Sequence, residues 1–213
     1  MKISRRITAL AAGLALTAST VLLTATPAEA HAKHQLGQRS LAALLAKDGS
    51  SFDRNWNDYD ILDKAVGAVL AADPGSPVAV LADGSVPLTA FLPTDRAFRR
   101  LASDLTGKSY SSESAVFTDV ASLGIPTVEK VLLYHVVPGS TITYRTALKS
   151  NGAKLATALP GASIRVKVRY CVFVQLSDAD PDDANPYVVR ADLNKGNRQI
   201  AHGIDRVLRP VNL

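Results

Sequence analysis

The chain has 213 residues, with 24 Lys or Arg against 19 Asp or Glu for a net charge of +5; 47% of residues are apolar and 20% charged. That balance excludes a disordered, acidic or collagen-like chain, and the length suits one domain able to bury roughly 70% of its extended surface without a disulfide or metal. Beyond residue 30 no apolar run approaches the roughly 18 residues of a membrane span, so no transmembrane segment is expected in the mature chain.

The first element in chain order reads as a secretory signal peptide over residues 1–30. Lys2, Arg5 and Arg6 form a basic head, a charge-free stretch follows over Ile7–Leu23, and Pro27 precedes the small-residue site Ala28-Glu29-Ala30. Cleavage after Ala30 makes His31 the new N-terminus. Residues 1–30 carry a net +2, so much of the basicity is a targeting device and residues 31–213 keep +3. A retained anchor is the alternative reading, and the run is short for one. Ser4-Arg5-Arg6 hints at twin-arginine export, but Thr8 favours the general secretory route. The residue directly after the cleavage site is His31 and not a cysteine, which argues against a lipoprotein. The single Cys171 excludes an internal disulfide, and no N-x-Ser/Thr sequon occurs. Both features fit an exported bacterial domain, secreted or held at the cell surface.

A polar segment, residues 31–38, precedes the folded domain, residues 39–213. Ser40–Lys47 and Asp58–Ala72 have helical spacing, the second with Ile61, Leu62, Ala65, Val66, Val69 and Leu70 in one stripe. Asp73-Pro74-Gly75-Ser76-Pro77 is a turn. Val86–Leu92 reads as a strand stopped by Pro93. Thr94 then caps a helix, Asp95 suits its positive end, and Phe98, Leu101, Ala102 and Leu105 make its buried face. Ser111–Leu123 and Thr127–His135 are further helices, the latter closed by Pro138-Gly139. From Ile164 to Leu176 every even position is apolar, which predicts strand alternation with one face in the core; the run is long enough that division by a bend or a second strand is the alternative. Tyr187–Leu193 and Gln199–Leu208 complete the strands. The expected fold class is a single α+β domain, helices early and sheet late.

Three stretches carry a family resemblance. Thr89-Ala90-Phe91-Leu92-Pro93-Thr94-Asp95-Arg96-Ala97-Phe98 resembles the first signature of the fasciclin domain, T-x-F-A-P-T-[ND]-x-A-F, with Leu92 in place of the usual Ala. Leu133-Tyr134-His135-Val136-Val137-Pro138-Gly139 resembles its central Tyr-His motif. Ile200-Ala201-His202-Gly203-Ile204-Asp205-Arg206-Val207-Leu208-Arg209-Pro210 resembles its C-terminal signature, with Ala201 before the His and Gly203 after it. The resemblance spans about Ser40 to Leu213 and implies a β-sheet wedge packed with several helices. In adhesion proteins of the family the Tyr-His segment is implicated in receptor and matrix contact, which carries a ligand-binding expectation onto Tyr134, His135, Val136 and Val137. The competing reading gives His135 a hydrogen bond to a loop carbonyl and a purely structural task.

Other constellations are weaker. There is no G-x-S-x-G elbow, P-loop, H-E-x-x-H or dinucleotide glycine pattern, so no enzyme and no cofactor are expected. A thiol-dependent enzyme would need Cys171 beside His135 or His202. By parity Cys171 shares a strand face with Arg165, Lys167 and Arg169; it is expected to be a small core residue, unless that face is exposed. Asp178, Asp180, Asp182 and Asp183, with Asn185, could converge on Ca²⁺, although the loop lacks the Gly and distal Glu of an EF-hand. A solvated turn is the plainer reading, and no metal is expected. His31-Ala32-Lys33-His34 could hold Cu²⁺ once the amine is freed. Nucleic acid is not an expected partner, since basic residues interleave with aromatics only over Arg165–Tyr170. The function these readings support is a secreted binding or adhesion module with an extracellular protein or polysaccharide as ligand. A structural surface protein steadied by Ca²⁺ is the alternative.

Overall fold

The structure, a computed structural model, describes residues 35–49 and 51–212. The leader over 1–30, its cleavage point before His31 and the copper reading at 31–34 lie outside the described residues. Helix starts follow from hydroxyl caps. Ser40 accepts from the Ala43 N–H (3.1 Å), Thr94 from Ala97 (3.4 Å) and Ser112 from Ala115 (3.3 Å), opening α1 (Leu41–Asp48), α3 (Asp95–Thr106) and α4 (Glu113–Ala121). Between them, α2 (Asp60–Ala72) takes its cap from further away: both Asp95 carboxylate oxygens accept from its first amides, those of Asp60 and Ile61. A 3-10 helix over Pro77–Ala82 follows α2, and α5 (Ile125–Tyr134) starts with Pro126 in its first turn, where the missing N–H costs nothing. No helix among the described residues is long and apolar enough to cross a membrane.

The first sheet is built around β1 (Leu88–Pro93). β2 (Val136–Pro138) pairs antiparallel with one edge of it, and β7 (Gln199–Ile204) pairs parallel with the other. β6 (Val188–Leu193) closes the far edge antiparallel to β7. A second, antiparallel sheet runs β3 (Lys154–Ala156), β4 (Ser163–Arg169), β5 (Phe173–Ser177). Strand alternation divides the core in two. Leu88, Ala90 and Leu92 point into the helices, where they meet Ile61, Val69, Phe98, Leu101 and Leu132. Phe91 points the other way, into Val166, Val174 and Leu176 of the second sheet. β1 is therefore buried on both faces, the usual condition of a strand in a parallel pair.

Sequence periodicity located α1 to α5, β1, β6 and β7 within a few residues. Four short elements are absent from the sequence expectations: the 3-10 helix over Pro77–Ala82, β2, β3 and the single-turn α6 (Tyr144–Ala147). The run Ile164–Leu176 is two strands. β4 and β5 form a hairpin in which Ile164, Val166, Val174 and Leu176 keep the alternation, while Tyr170 and Cys171 turn the chain at φ of 51° and 61°. The helices-then-sheet expectation is incomplete too, since β1 precedes α3 and pairs with the last strand. Gly203 now has a reason: a Cβ there would run into the Tyr59 hydroxyl and the Arg190 side chain. The chain tolerates that crowding only with hydrogen at this position, beside an irregularity in the β6–β7 register.

Candidate functional site

The Tyr-His motif sits at the end of α5 and the start of β2, between the two cores. Tyr134, His135, Val136 and Val137 are all buried. Tyr134 donates its hydroxyl to the Ser163 carbonyl of β4 (3.1 Å), and burial above all pushes its pKa up to about 12. His135 Nδ1 donates to the Val131 carbonyl at 2.7 Å, one turn back on α5. Its Nε2 accepts the Leu208 N–H at 2.9 Å, an arrangement that fixes the neutral tautomer. Burial holds the ring down at about 4. Both nitrogens are thus committed to tying the C-terminal segment to α5. His202 is committed in the same way, Nδ1 accepting from the Asp192 N–H (3.2 Å) and Nε2 donating to the Ile142 carbonyl (2.8 Å). Neither imidazole keeps a ring nitrogen to serve a thiol as base.

Cys171 is exposed at the β4–β5 turn, not in the core. The parity expectation fails because the turn takes residues 170–172 out of the alternation. The acidic loop is tied to the C-terminal segment. Asp178 caps the backbone of Arg209 (2.9 Å) and Asp180 (3.3 Å), while the Arg209 guanidinium lies 3.3 Å from each of Asp180 and Asp183. Arg206 adds a second contact to Asp183 at 2.9 Å, and Asn212 donates to Asp182. Two arginines, which sequence spacing gave no means of placing there, supply positive charge to Asp180 and Asp183, while Asp178 accepts from backbone amides and Asp182 from Asn212.

What the fold does present to solvent is the β4–β5 hairpin. Tyr170 is 87% exposed, Val172 53% and Phe173 52%, and they are consecutive but for Cys171. Below this apolar tip, Arg165, Lys167 and Arg169 alternate along the outward face of β4, and Lys154 stands opposite Arg165 on β3. None of these four cations forms an ion pair among the described residues. Phe173 faces Arg169 across the hairpin, and Arg169 donates to Gln175 (3.0 Å). The Tyr144 hydroxyl of α6 donates to the Val172 carbonyl (2.7 Å) and holds the tip in place. Sequence reasoning identified the cationic row but not the aromatic tip, whose exposure depends on the turn.

A second cluster lies where α2, α3 and α4 begin. Asp58, Asp95 and Glu113, all buried, each offer a carboxylate oxygen within 4.8 Å of the others; Asp53, Asp58 and Asp60 form an overlapping group. Burial, then the Asp58 side chain, push Asp95 up to about 8, and burial also raises Glu113. The signal available in the sequence was the run Asp53-Arg54-Asn55-Trp56-Asn57-Asp58-Tyr59-Asp60, rich in oxygen-bearing side chains. A groove of about 540 Å³ beside α5, lined by Val131, Leu159 and Val211 among others, has Lys130 as its one ionisable lining group and no acid–base pair.

Comparison with known proteins bears on the fold. The family model for the fasciclin domain matches residues 64–210. Among solved structures, a FAS1 domain pair from the insect cell adhesion molecule Fasciclin I superposes with a TM-score of 0.50 at 19% identity, over 71% of this chain and 48% of that one. The chain therefore spans about half the length of that pair. No curated protein matches.

Proposed function

The chain belongs to the fasciclin domain family, and from that premise we propose that it is an exported adhesion module whose contact surface is the β4–β5 hairpin and whose ligand is an anionic extracellular polysaccharide. Fasciclin domains are cell adhesion modules found in extracellular and cell-surface proteins, and the leader-like residues 1–30 support export. The observation that carries the reading is the joint exposure of Tyr170, Val172 and Phe173 above four cations that form no ion pair among the described residues. An apolar tip on a cationic stem suits a partner with both carbohydrate faces and regularly spaced anionic groups. Aromatic rings lie flat on such faces with little loss of entropy, and the cations capture the charge. A protein ligand with an acidic surface is the second outcome the test distinguishes.

In this reading Tyr134, His135, Val136 and Val137 act from beneath. Tyr134 anchors β4 through Ser163, so the motif of the resemblance positions the hairpin instead of touching the ligand. The test is retention of the chain on immobilised heparin, polyglutamate and neutral dextran at two salt concentrations. Heparin binding that weakens with salt, and that falls at least tenfold in Tyr170→Ala/Phe173→Ala and in Arg165→Gln/Lys167→Gln/Arg169→Gln, is the expected result. Tighter binding to polyglutamate moves the ligand to the protein class. Equal behaviour of native chain and both variants overturns the hairpin as the contact surface.

A further inference from the structure

Asp58, Asp95 and Glu113 belong to three separate stretches of chain. Asp58 ends the loop before α2, Asp95 is the first residue of α3, and Glu113 is the first residue of α4. The Asp58 carbonyl accepts from the Asp95 N–H (3.1 Å) and the Trp56 carbonyl from the Arg96 N–H (2.9 Å), which docks the loop on α3. The Arg99 guanidinium over the Trp56 ring, 4.3 Å from its centroid, and Phe52 packed on Phe117 pin it further.

Ordinary capping explains part of this convergence. Asp95 spends its oxygens on the amides of Asp60 (3.2 Å) and Ile61 (3.0 Å), and Glu113 Oε2 accepts from Asp53 (2.6 Å). The positive ends of three helices also favour acids there. Capping leaves a remainder. Glu113 is wholly buried and its Oε1 has no hydrogen-bond donor; Asp58 is 93% buried and its Oδ1 has none either. An orphan carboxylate oxygen away from water is costly, and Asp58 and Glu113 each carry one while standing with Asp95 in a group whose members each offer a carboxylate oxygen within 4.8 Å of the others.

We propose that Asp58, Asp95 and Glu113 form a buried binding site for one divalent cation, Ca²⁺ by its ligand chemistry. The donors are all oxygen, with no imidazole or thiolate, which selects a hard cation over zinc or copper. Asp58 also belongs to a second group, with Asp53 and Asp60, whose members each offer a carboxylate oxygen within 4.8 Å of the others, and Ca²⁺ takes six to eight oxygen ligands. The ion joins the loop 53–58 to the starts of α3 and α4, a structural clamp independent of the hairpin and of what it binds. The competing occupant is a proton shared between Asp58 and Asp95.

The experiment loads the chain with CaCl₂ or strips it with EDTA, then measures melting temperature and, after dialysis, the calcium retained per chain. About one ion per chain and a higher melting temperature in CaCl₂ are expected. Glu113→Gln, which keeps the Asp53 contact but removes a charge, should weaken Ca²⁺ binding at least tenfold and erase the calcium-dependent shift while melting cooperatively in EDTA. Where that variant does not fold, Asp58→Asn is read in its place, and the ion count of the native chain stands on its own. Asp182→Asn, in the other acidic loop, should leave the shift intact. Identical melting in CaCl₂ and EDTA with no retained ion overturns the site in favour of the shared proton; loss of the shift in Asp182→Asn overturns it in favour of the other loop.

Discussion

His135 commits both of its ring nitrogens to the fold. It donates to Val131 and accepts from Leu208, and both bonds require the neutral ring. Protonation would set a second N–H against the Leu208 N–H inside the core. Burial accordingly lowers its pKa to about 4 from the ordinary 6.5. The sign follows: the unfolded chain takes up the proton first, so stability held above about pH 6.5 drains away as the pH falls towards 4. At 1.36 kcal/mol per unit the loss is on the order of 3 kcal/mol. His202, also held low by burial, acts in the same direction, whereas Asp178, raised to about 6 chiefly by burial, acts in the opposite one between about 6 and 3.8. The whole pH curve is therefore a mixture, and a variant isolates the residue. His135→Gln keeps one of the two hydrogen bonds and cannot titrate. Its melting temperature should lie below that of the native chain at pH 7.5, and the gap should narrow by pH 4.5. A gap independent of pH would mean that His135 is not held neutral by the fold.

At the scale of elements the β4–β5 hairpin separates what a pattern can tell from what it cannot. Alternation from Ile164 to Leu176 is real in both arms, because each arm buries one face against Phe91 and Ile204. The turn was illegible because its two left-handed positions carry Tyr170 and Cys171, not the Asn-Gly pair that usually marks such a bend. A left-handed conformation costs a residue with a side chain about 1 kcal/mol or more. For the same reason β2, β3 and α6 escaped notice: three or four residues are too few to show a period, and their formation depends on neighbours distant in sequence. Tyr170→Asn with Cys171→Gly should relieve the turn and raise unfolding stability by about 1–2 kcal/mol in urea titrations. The same double variant should retain less well on heparin, because it deletes the most exposed ring. A variant that is less stable than the native chain would show that the tip packs against something the turn geometry conceals.

For the whole molecule the governing fact is that, among the described residues, the first strand and the last lie side by side. β1 pairs in parallel with β7 along six residues, and the segment after β7 then crosses back to α5 and α3. The three motifs of the family resemblance lie far apart in sequence and meet here: Phe91 opposite His202 in the paired strands, and His135 on the Leu208 amide. Their order was readable in the sequence. Their contact was not, because nothing local in any of them requires the other two. Arg209 completes the closure. Its side chain is 7% exposed and lies 2.9 Å from Asp104 of α3, 3.3 Å from Asp180 and 3.3 Å from Asp183, with Asp180 fully buried. A buried ion pair gains little net stability over an apolar replacement, yet breaking one leaves a charge stranded away from water. Arg209→Ala should therefore lower unfolding stability by about 3–5 kcal/mol. Asp104→Asn, at the solvent-exposed side of the same guanidinium, should cost less than about 1 kcal/mol. Converting both buried partners, Arg209→Met with Asp180→Asn, should recover much of the loss, because no stranded charge remains. Should the double variant be as unstable as Arg209→Ala, the cost would lie in the hydrogen bonds that hold residues 205–210 against the sheet, and not in the unpaired carboxylate.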